Sequence, residues 1–261
     1  MSDTVLYAVR SGVASIILNR PQVLNALDAG MMVRLREACE QAARDTAARV
    51  ILLRGAGPAF LAGGDVTMFH ANLPQLPKMV AGLAGELHRA VLALRGAPKP
   101  VVASVHGAIA GAGVSLVVAA DLVIAAEDAR FALAYSRIGT SPDGGATWFL
   151  PRLVGYQKAL ELMLLSEPVD AMTMQALGVV NRLVPVAALE QETQRVVERL
   201  ACGPTQAYAE TKRLANQAFG NSLAAHLDEE AQAFARCAAT RDFAEGVTAL
   251  VEKRAPLFKG Q

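Results

Sequence analysis

Short apolar runs rich in β-branched residues recur at residues 13–18, 50–53, 101–105 and 122–125, with a further short run at 131–133, and helical periodicity fills most of the gaps. A strand followed by a helix and another strand needs a crossover connection. The runs should therefore pair in parallel, with right-handed crossovers, as the strands of an α/β fold. Asn19-Arg20-Pro21 ends the first run, and Asp28 then reads as the N-cap of a helix whose inner face is Met31, Met32, Leu35, Ala38, Cys39 and Ala42. Pro74 and Pro77 mark a mobile loop, a long helix spans 79–95, and Pro98 and Pro100 stop it. A glycine-rich turn at 107–113 opens a helix of small residues.

After Pro142 the pattern predicts helices almost throughout, at 148–153, 157–165, 172–177, 188–200, 205–219, 223–239 and 243–253. With 53% hydrophobic residues in 261, the chain can bury a large core. We place that core at residues 1–200 and a helical region at 201–261. The latter carries more apolar surface than one side of a small appendage can hide, which predicts packing between subunits.

The 25 basic and 24 acidic residues nearly cancel, so no global field draws the chain to nucleic acid or an anionic membrane. The uncharged stretch at 107–120 has Gly107 and Gly111 at GxxxG spacing, but it falls short of the about 20 residues a span needs. Three cysteines without a CxxC pair give no disulfide framework. The opening MSDTVLYAVR has no basic region followed by an apolar run. A cytoplasmic protein without a signal peptide is expected.

Two glycine-rich turns, AFLAGGD at 59–65 and HGAIAGAG at 106–113, each follow an expected strand. Such turns can aim free N–H groups at a developing negative charge, as in an oxyanion hole. Taken singly, each is equally at home as a tight turn that lets a helix pack closely. Neither makes GxGxxG, no P-loop is present, and Ser115 lacks the second glycine of GxSxG. His70 and His226 have no partners at metal-ligand spacing, and no metal is expected.

In order along nearly the whole chain, Leu18-Asn19-Arg20-Pro21, Asn25-Ala26-Leu27, AFLAGGD, PKPVVASVHGAIAGAG, Asp121, Phe131 and the closing VEKR resemble the crotonase (enoyl-CoA hydratase/isomerase) superfamily. The resemblance implies an α/β crotonase-like ββα superhelix with a C-terminal helical trimerisation region, as a homotrimer or a dimer of trimers. It implies an acyl-CoA thioester substrate, coenzyme A being part of that substrate, and no tightly bound cofactor. The N–H groups of Gly64 and Ala112 would hold the thioester oxygen. Carbonyls around Ala62 and Gly64 would read the adenine, and Phe234 and Lys253, from the same or a neighbouring subunit, would cover the coenzyme A. Read without the resemblance, Phe234 is a core residue of an apolar helix and Lys253 a solvated helix-end charge.

The resemblance also implies a choice of chemistry. Hydratases of this family carry one glutamate after the second glycine turn and another after the Phe-containing strand, where this chain has Ser115 and Tyr135. Hydration calls for one group to activate water and another to handle a proton, whereas moving a double bond needs only one base. Asp143, in Ser141-Pro142-Asp143-Gly144-Gly145, matches the proton-moving aspartate of dienoyl-CoA and ring-epoxide phenylacetate-pathway isomerases; Pro-Asp-Gly is also ordinary turn chemistry. A 4-chlorobenzoyl-CoA-type dehalogenase would use Asp143 as nucleophile with His88 as water activator, although Tyr135 stands where that enzyme has a tryptophan. The remaining alternatives are hydration with Asp143 as sole carboxylate and a non-catalytic acyl-CoA-binding subunit. Asp65 reads as an N-cap beside the Gly64 donor, and His106 as structural.

Overall fold

Six strands form the main sheet, in the order β1 (Val5–Arg10), β2 (Val13–Leu18), β3 (Val50–Gly55), β4 (Val101–Val105), β6 (Leu122–Ala126) and β9 (Arg182–Val184). The computed structural model describes residues 3–261; the start of the chain at Met1, read above for a leader, lies outside the described residues. Every neighbouring pair is parallel except β1 with β2. A smaller sheet joins β5 (Ala108–Ala110), β7 (Arg130–Ala132) and β8 (Val169–Asp170).

The run Val50-Ile51-Leu52-Leu53 is continuously apolar because β3 is covered on both faces. Ile51 and Leu53 belong to the large core beneath α1 (Ala29–Arg44) and α3 (Leu76–Gly96), while Val50 and Leu52 join Val196 and Val197 of α8 (Leu189–Ala201). Asp28 caps α1 as expected, accepting the Met31 N–H at 2.8 Å.

Four strands, β1, β5, β8 and β9, join those expected, and the expected loop at Pro74 and Pro77 is corrected. The edge strand β1 was not among the expected strands although Val5 to Val9 is an apolar run; its residues alternate between half-buried and exposed, as at a sheet edge. The region after Pro142 is helical almost throughout, as expected, and β8 and β9, too short for a periodicity to show, fall in gaps between the expected helices. The expected loop around Pro74 and Pro77 is largely helix, with α2 (Val66–Ala71) before it and Pro77 inside the first turn of α3. Proline is tolerated there because its missing N–H would have had no partner in the helix. The glycine turn at 107–113 contains β5 before α4 (Ala112–Ala119) begins.

Between β7 and β9 the chain forms α5 (Ala146–Val154), α6 (Tyr156–Leu165) and α7 (Ala171–Ala176), and it ends in α9 (Thr205–Gln217), α10 (Leu223–Ala238) and α11 (Arg241–Val251). The last three helices are tied to the core by polar side chains. Lys212 reaches Asp121 at 2.8 Å and the Leu94 carbonyl at 2.7 Å, while Arg49 donates to the Gly203 and Phe258 carbonyls. Leu223, Phe234, Leu250 and Val251 are exposed on these helices, and Phe219 in the turn after α9. No helix among the described residues is long and apolar enough to cross a membrane.

Candidate active site

Asn25 is fully buried at φ +60°, a backbone region that asparagine tolerates better than most residues. Its side-chain amide donates to the carbonyls of Ala56, Ala59 and Phe60 at 2.9, 2.8 and 3.1 Å, and its oxygen accepts the Arg20 N–H at 2.8 Å. Arg20 in turn binds the Ala26 carbonyl, Asp28 at 3.1 Å and Asp65 at 3.4 Å. Both residues lie in motifs quoted above, yet their function as struts for the AFLAGGD turn was not legible, because it depends on carbonyls some thirty positions away.

The turn so held is zipped to the second one. Phe60 N–H donates to the His106 carbonyl, Leu61 N–H to Ala108, and Ala110 N–H to Leu61, at 2.9, 3.2 and 2.8 Å. Glycine is required at the crossing. Gly63 has φ +94° and Gly111 φ +49°, and a Cβ on Gly113 would lie 2.5 Å from the Leu61 carbonyl oxygen.

Gly64 and Ala112 consequently line one cavity, and neither N–H is taken up by a main-chain acceptor. Ala112 is the first residue of α4, so its N–H is one that a helix leaves free, at the positive end of the helix dipole. Asp65 caps α2, accepting from the Thr67 and Met68 N–H groups at 3.1 and 3.2 Å. His106 bonds the Gly57 carbonyl at 2.8 Å, a structural contact.

The cavity measures about 340 Å³. Its apolar wall includes Met32, Phe69, Val80, Leu83, Leu87 and Leu133, and Ala62 lies at its glycine edge. Asp143 is the only acidic residue lining it. The Tyr135 hydroxyl, also lining the cavity, donates to Asp143 Oδ1 at 2.6 Å, and Ser115 Oγ–H donates to the Asp143 carbonyl at 2.8 Å. Burial, with the Asp143 charge and hydrogen bond added, raises the Tyr135 pKa well above its usual value, so Tyr135 stays a protonated donor.

A second cavity, about 530 Å³, lies between α5 and α9, but its one carboxylate, Asp121, is already paired with Lys212. It offers no free base.

Gly64, Ala112, Tyr135, Asp143 and Ala62 thus converge on the smaller cavity. Three other candidates do not. His88 is exposed on α3 and does not line it, although its neighbour Leu87 does. Phe234, 69% exposed on α10, meets Phe243 edge-on with ring centres 6.0 Å apart, and Lys253 is exposed just beyond α11. Among the described residues no cluster of His, Cys, Asp and Glu could hold a metal.

The family model for enoyl-CoA hydratase/isomerase matches residues 8–261. The chain belongs to the enoyl-CoA hydratase/isomerase family. Family membership makes it a crotonase-fold enzyme of the enoyl-CoA hydratase/isomerase type. Among relatives of this family, a Rhodobacter capsulatus protein named "Probable enoyl-CoA hydratase" is 39% identical over 258 residues, covering 99% of this chain and 98% of the relative. The 1,2-epoxyphenylacetyl-CoA isomerase of Escherichia coli is 36% identical over the full length of both chains. The crystal structure of an enoyl-CoA hydratase from Polaromonas superposes with a TM-score of 0.93 at 33% identity, covering 98% of this chain and 99% of that one.

Proposed function

We propose that this enzyme moves a double bond within an enoyl-CoA thioester, with Asp143 as the base that removes a proton and returns it to another carbon. The observation that carries this reading is a single carboxylate in the cavity with a protonated tyrosine against it. Breaking a C–H bond beside the thioester carbonyl sends the electron pair to the carbonyl oxygen. The Gly64 and Ala112 N–H groups are free to receive that charge. Removing one such donor elsewhere costs roughly 2.7–4 kcal/mol of barrier, which is the scale each would supply here. Asp143 then protonates a different carbon of the delocalised enolate, and the enzyme returns to its starting state with no water consumed.

Tyr135 would hold the Asp143 carboxylate in place while this happens. The name of the Escherichia coli relative supports an isomerase, and the exposed His88 gives no support to a dehalogenase. The coenzyme A portion would run past Ala62. Phe234 and Lys253, exposed and away from the cavity of their own chain, would cover it from a neighbouring subunit in a homotrimer or a dimer of trimers. Residues 201–261 would form the trimerisation region, and the enzyme would work in the cytoplasm.

The test is to give purified wild type and Asp143→Asn trans-2-enoyl-, cis-3-enoyl-, 2,4-dienoyl- and ring-epoxide CoA thioesters. Isomerised product from wild type, reduced about 10²- to 10⁴-fold in the variant, is the expected outcome. A 3-hydroxyacyl-CoA as main product would overturn the isomerase assignment, and a fully active variant would remove Asp143 from the mechanism.

A further inference from the structure

Asp143 sits on a loop, and loops do not hold a base to the tolerance that proton transfer demands unless something rigid fixes them. Here the Ala146 N–H at the start of α5 donates to the Asp143 carbonyl at 3.3 Å, and the closer hold comes from α4. Ser115 is fully buried on that helix, one turn after Ala112, and its hydroxyl donates to the main-chain carbonyl of Asp143 at 2.8 Å. The same oxygen lies 3.3 Å from the Tyr135 hydroxyl, whose hydrogen is committed to Asp143 Oδ1 at 2.6 Å. Ser115 thus holds the backbone of Asp143, and Tyr135 holds its carboxylate.

The next residue seats the loop. Gly144 has φ +59°, and a Cβ there would lie 2.8 Å from the Ser115 Cβ and 3.0 Å from a Leu87 methyl. The loop therefore rests directly on the serine, a contact open only to glycine above and a small side chain below. One helical turn carries both the Ala112 N–H and the residue on which Asp143 is hung.

We propose that Ser115 is a positioning residue that sets the distance between the Asp143 base and the Ala112 N–H, and so determines the rate of proton transfer without touching substrate. The proposal rests on the assignment of Asp143 as the base. Ser115 makes no bond to the reacting atoms, so its loss should act on kcat through Asp143 and leave thioester binding alone.

The experiment measures kcat and KM for wild type, Ser115→Ala, Gly144→Ala, Asp143→Asn and the Ser115→Ala/Asp143→Asn double variant, on the thioester that wild type turns over. Ser115→Ala should lower kcat about tenfold to a hundredfold, the scale of a misplaced reacting group, with KM changed less than about twofold. Gly144→Ala, which lifts the loop from the other side, should reproduce that split. In the Asp143→Asn background the serine change should alter the residual turnover less than about twofold, because two residues acting through one group are not additive. A Ser115→Ala enzyme with wild-type kcat, or a serine effect repeated in full without Asp143, overturns the proposal while leaving the isomerase reading intact. An Asp143→Asn enzyme as active as wild type would instead sink the reading on which it rests.

Discussion

Leu61 and Ile109 pair as a parallel bridge, and with the main-chain hydrogen bonds on either side it brings two glycine-rich turns from distant parts of the chain to a common edge. The Ala110 N–H donates to the Leu61 carbonyl at 2.8 Å, and each segment then runs on to its free donor, Gly64 three residues past Leu61 and Ala112 three past Ile109. The symmetry of the two short runs is why both N–H groups open on the same cavity.

Ala112→Pro should remove one donor while keeping the helix. Proline is favoured at the first position of a helix, and Gly111, at φ +49° and ψ −119°, occupies the mirror image of the extended region that a residue before proline prefers. The expected result is a fall in kcat of about 10²–10³ with the thermal midpoint nearly unchanged. Wild-type kcat in a folded variant would show that Ala112 is not a donor to the thioester oxygen.

Asn25→Ala should damage stability and activity together. Two buried carbonyls and one half-buried one lose their donor and alanine inherits a positive φ, for a cost of roughly 2–4 kcal/mol in chemical denaturation. Because those carbonyls belong to the turn that carries Gly64, kcat should fall even where the variant is fully folded. A variant with unaltered denaturation midpoint would contradict the strut assigned to this side chain.

Acid should loosen the C-terminal helices before the sheet. Glu210 of α9 pairs with Arg213 one turn on and joins α10 through Arg236, and Glu245 joins α11 to the following segment through Arg254. Hydrogen bonds to these arginines, Arg236 and Arg254 foremost, hold both carboxyls down to about 2. A depressed folded-state pKa means stabilisation present above the ordinary value of about 4.5 and lost as pH falls towards about 2. Amide exchange followed across that window should rise first in α9–α11; equal protection of helices and sheet throughout would contradict this.

Alkali should act through a phenol. Burial first, then the hydrogen bond to Asp45 at 2.9 Å, raises the Tyr7 pKa above its ordinary value of 10.0. The folded state therefore keeps a proton that the unfolded chain gives up, and stability is lost as pH rises beyond about 10. Comparing the urea midpoints of wild type and Tyr7→Phe isolates this effect from buried Lys99, whose burial-depressed pKa works in the opposite sense below its ordinary value. The two curves should separate at high pH, with wild type falling faster; parallel curves would rule it out.

Much of the fold could be read directly. A parallel central strand buried on both faces must be apolar along its length, so β2, β3, β4 and β6 announced themselves, as did the Asp28 cap and the larger helices. The short β5, β8 and β9 did not, since two or three residues carry no period, and neither did β1, whose exposed alternate residues are mostly apolar as well. At the site, Gly64, Ala112, Tyr135 and Asp143 were all named in advance, and the structure gathers them around one cavity. His88 was named too, but the exposed position it takes on α3 could not be told from helical spacing alone, because it lies beside the cavity-facing Leu87.

By itself the sequence determined the parallel α/β order and the two glycine turns, because apolar periodicity and the need for glycine at a positive φ are local properties, while the ordered motifs carried the resemblance to the family. Only the tertiary structure decided what those turns and the lone aspartate are attached to. That Asn25 braces one turn, that Leu61 bridges to Ile109, and that Ser115 holds Asp143 at 2.8 Å are relations between segments well separated in the chain. Hydrogen-bond partners at such separations are set by how the layers stack, and no local pattern encodes them.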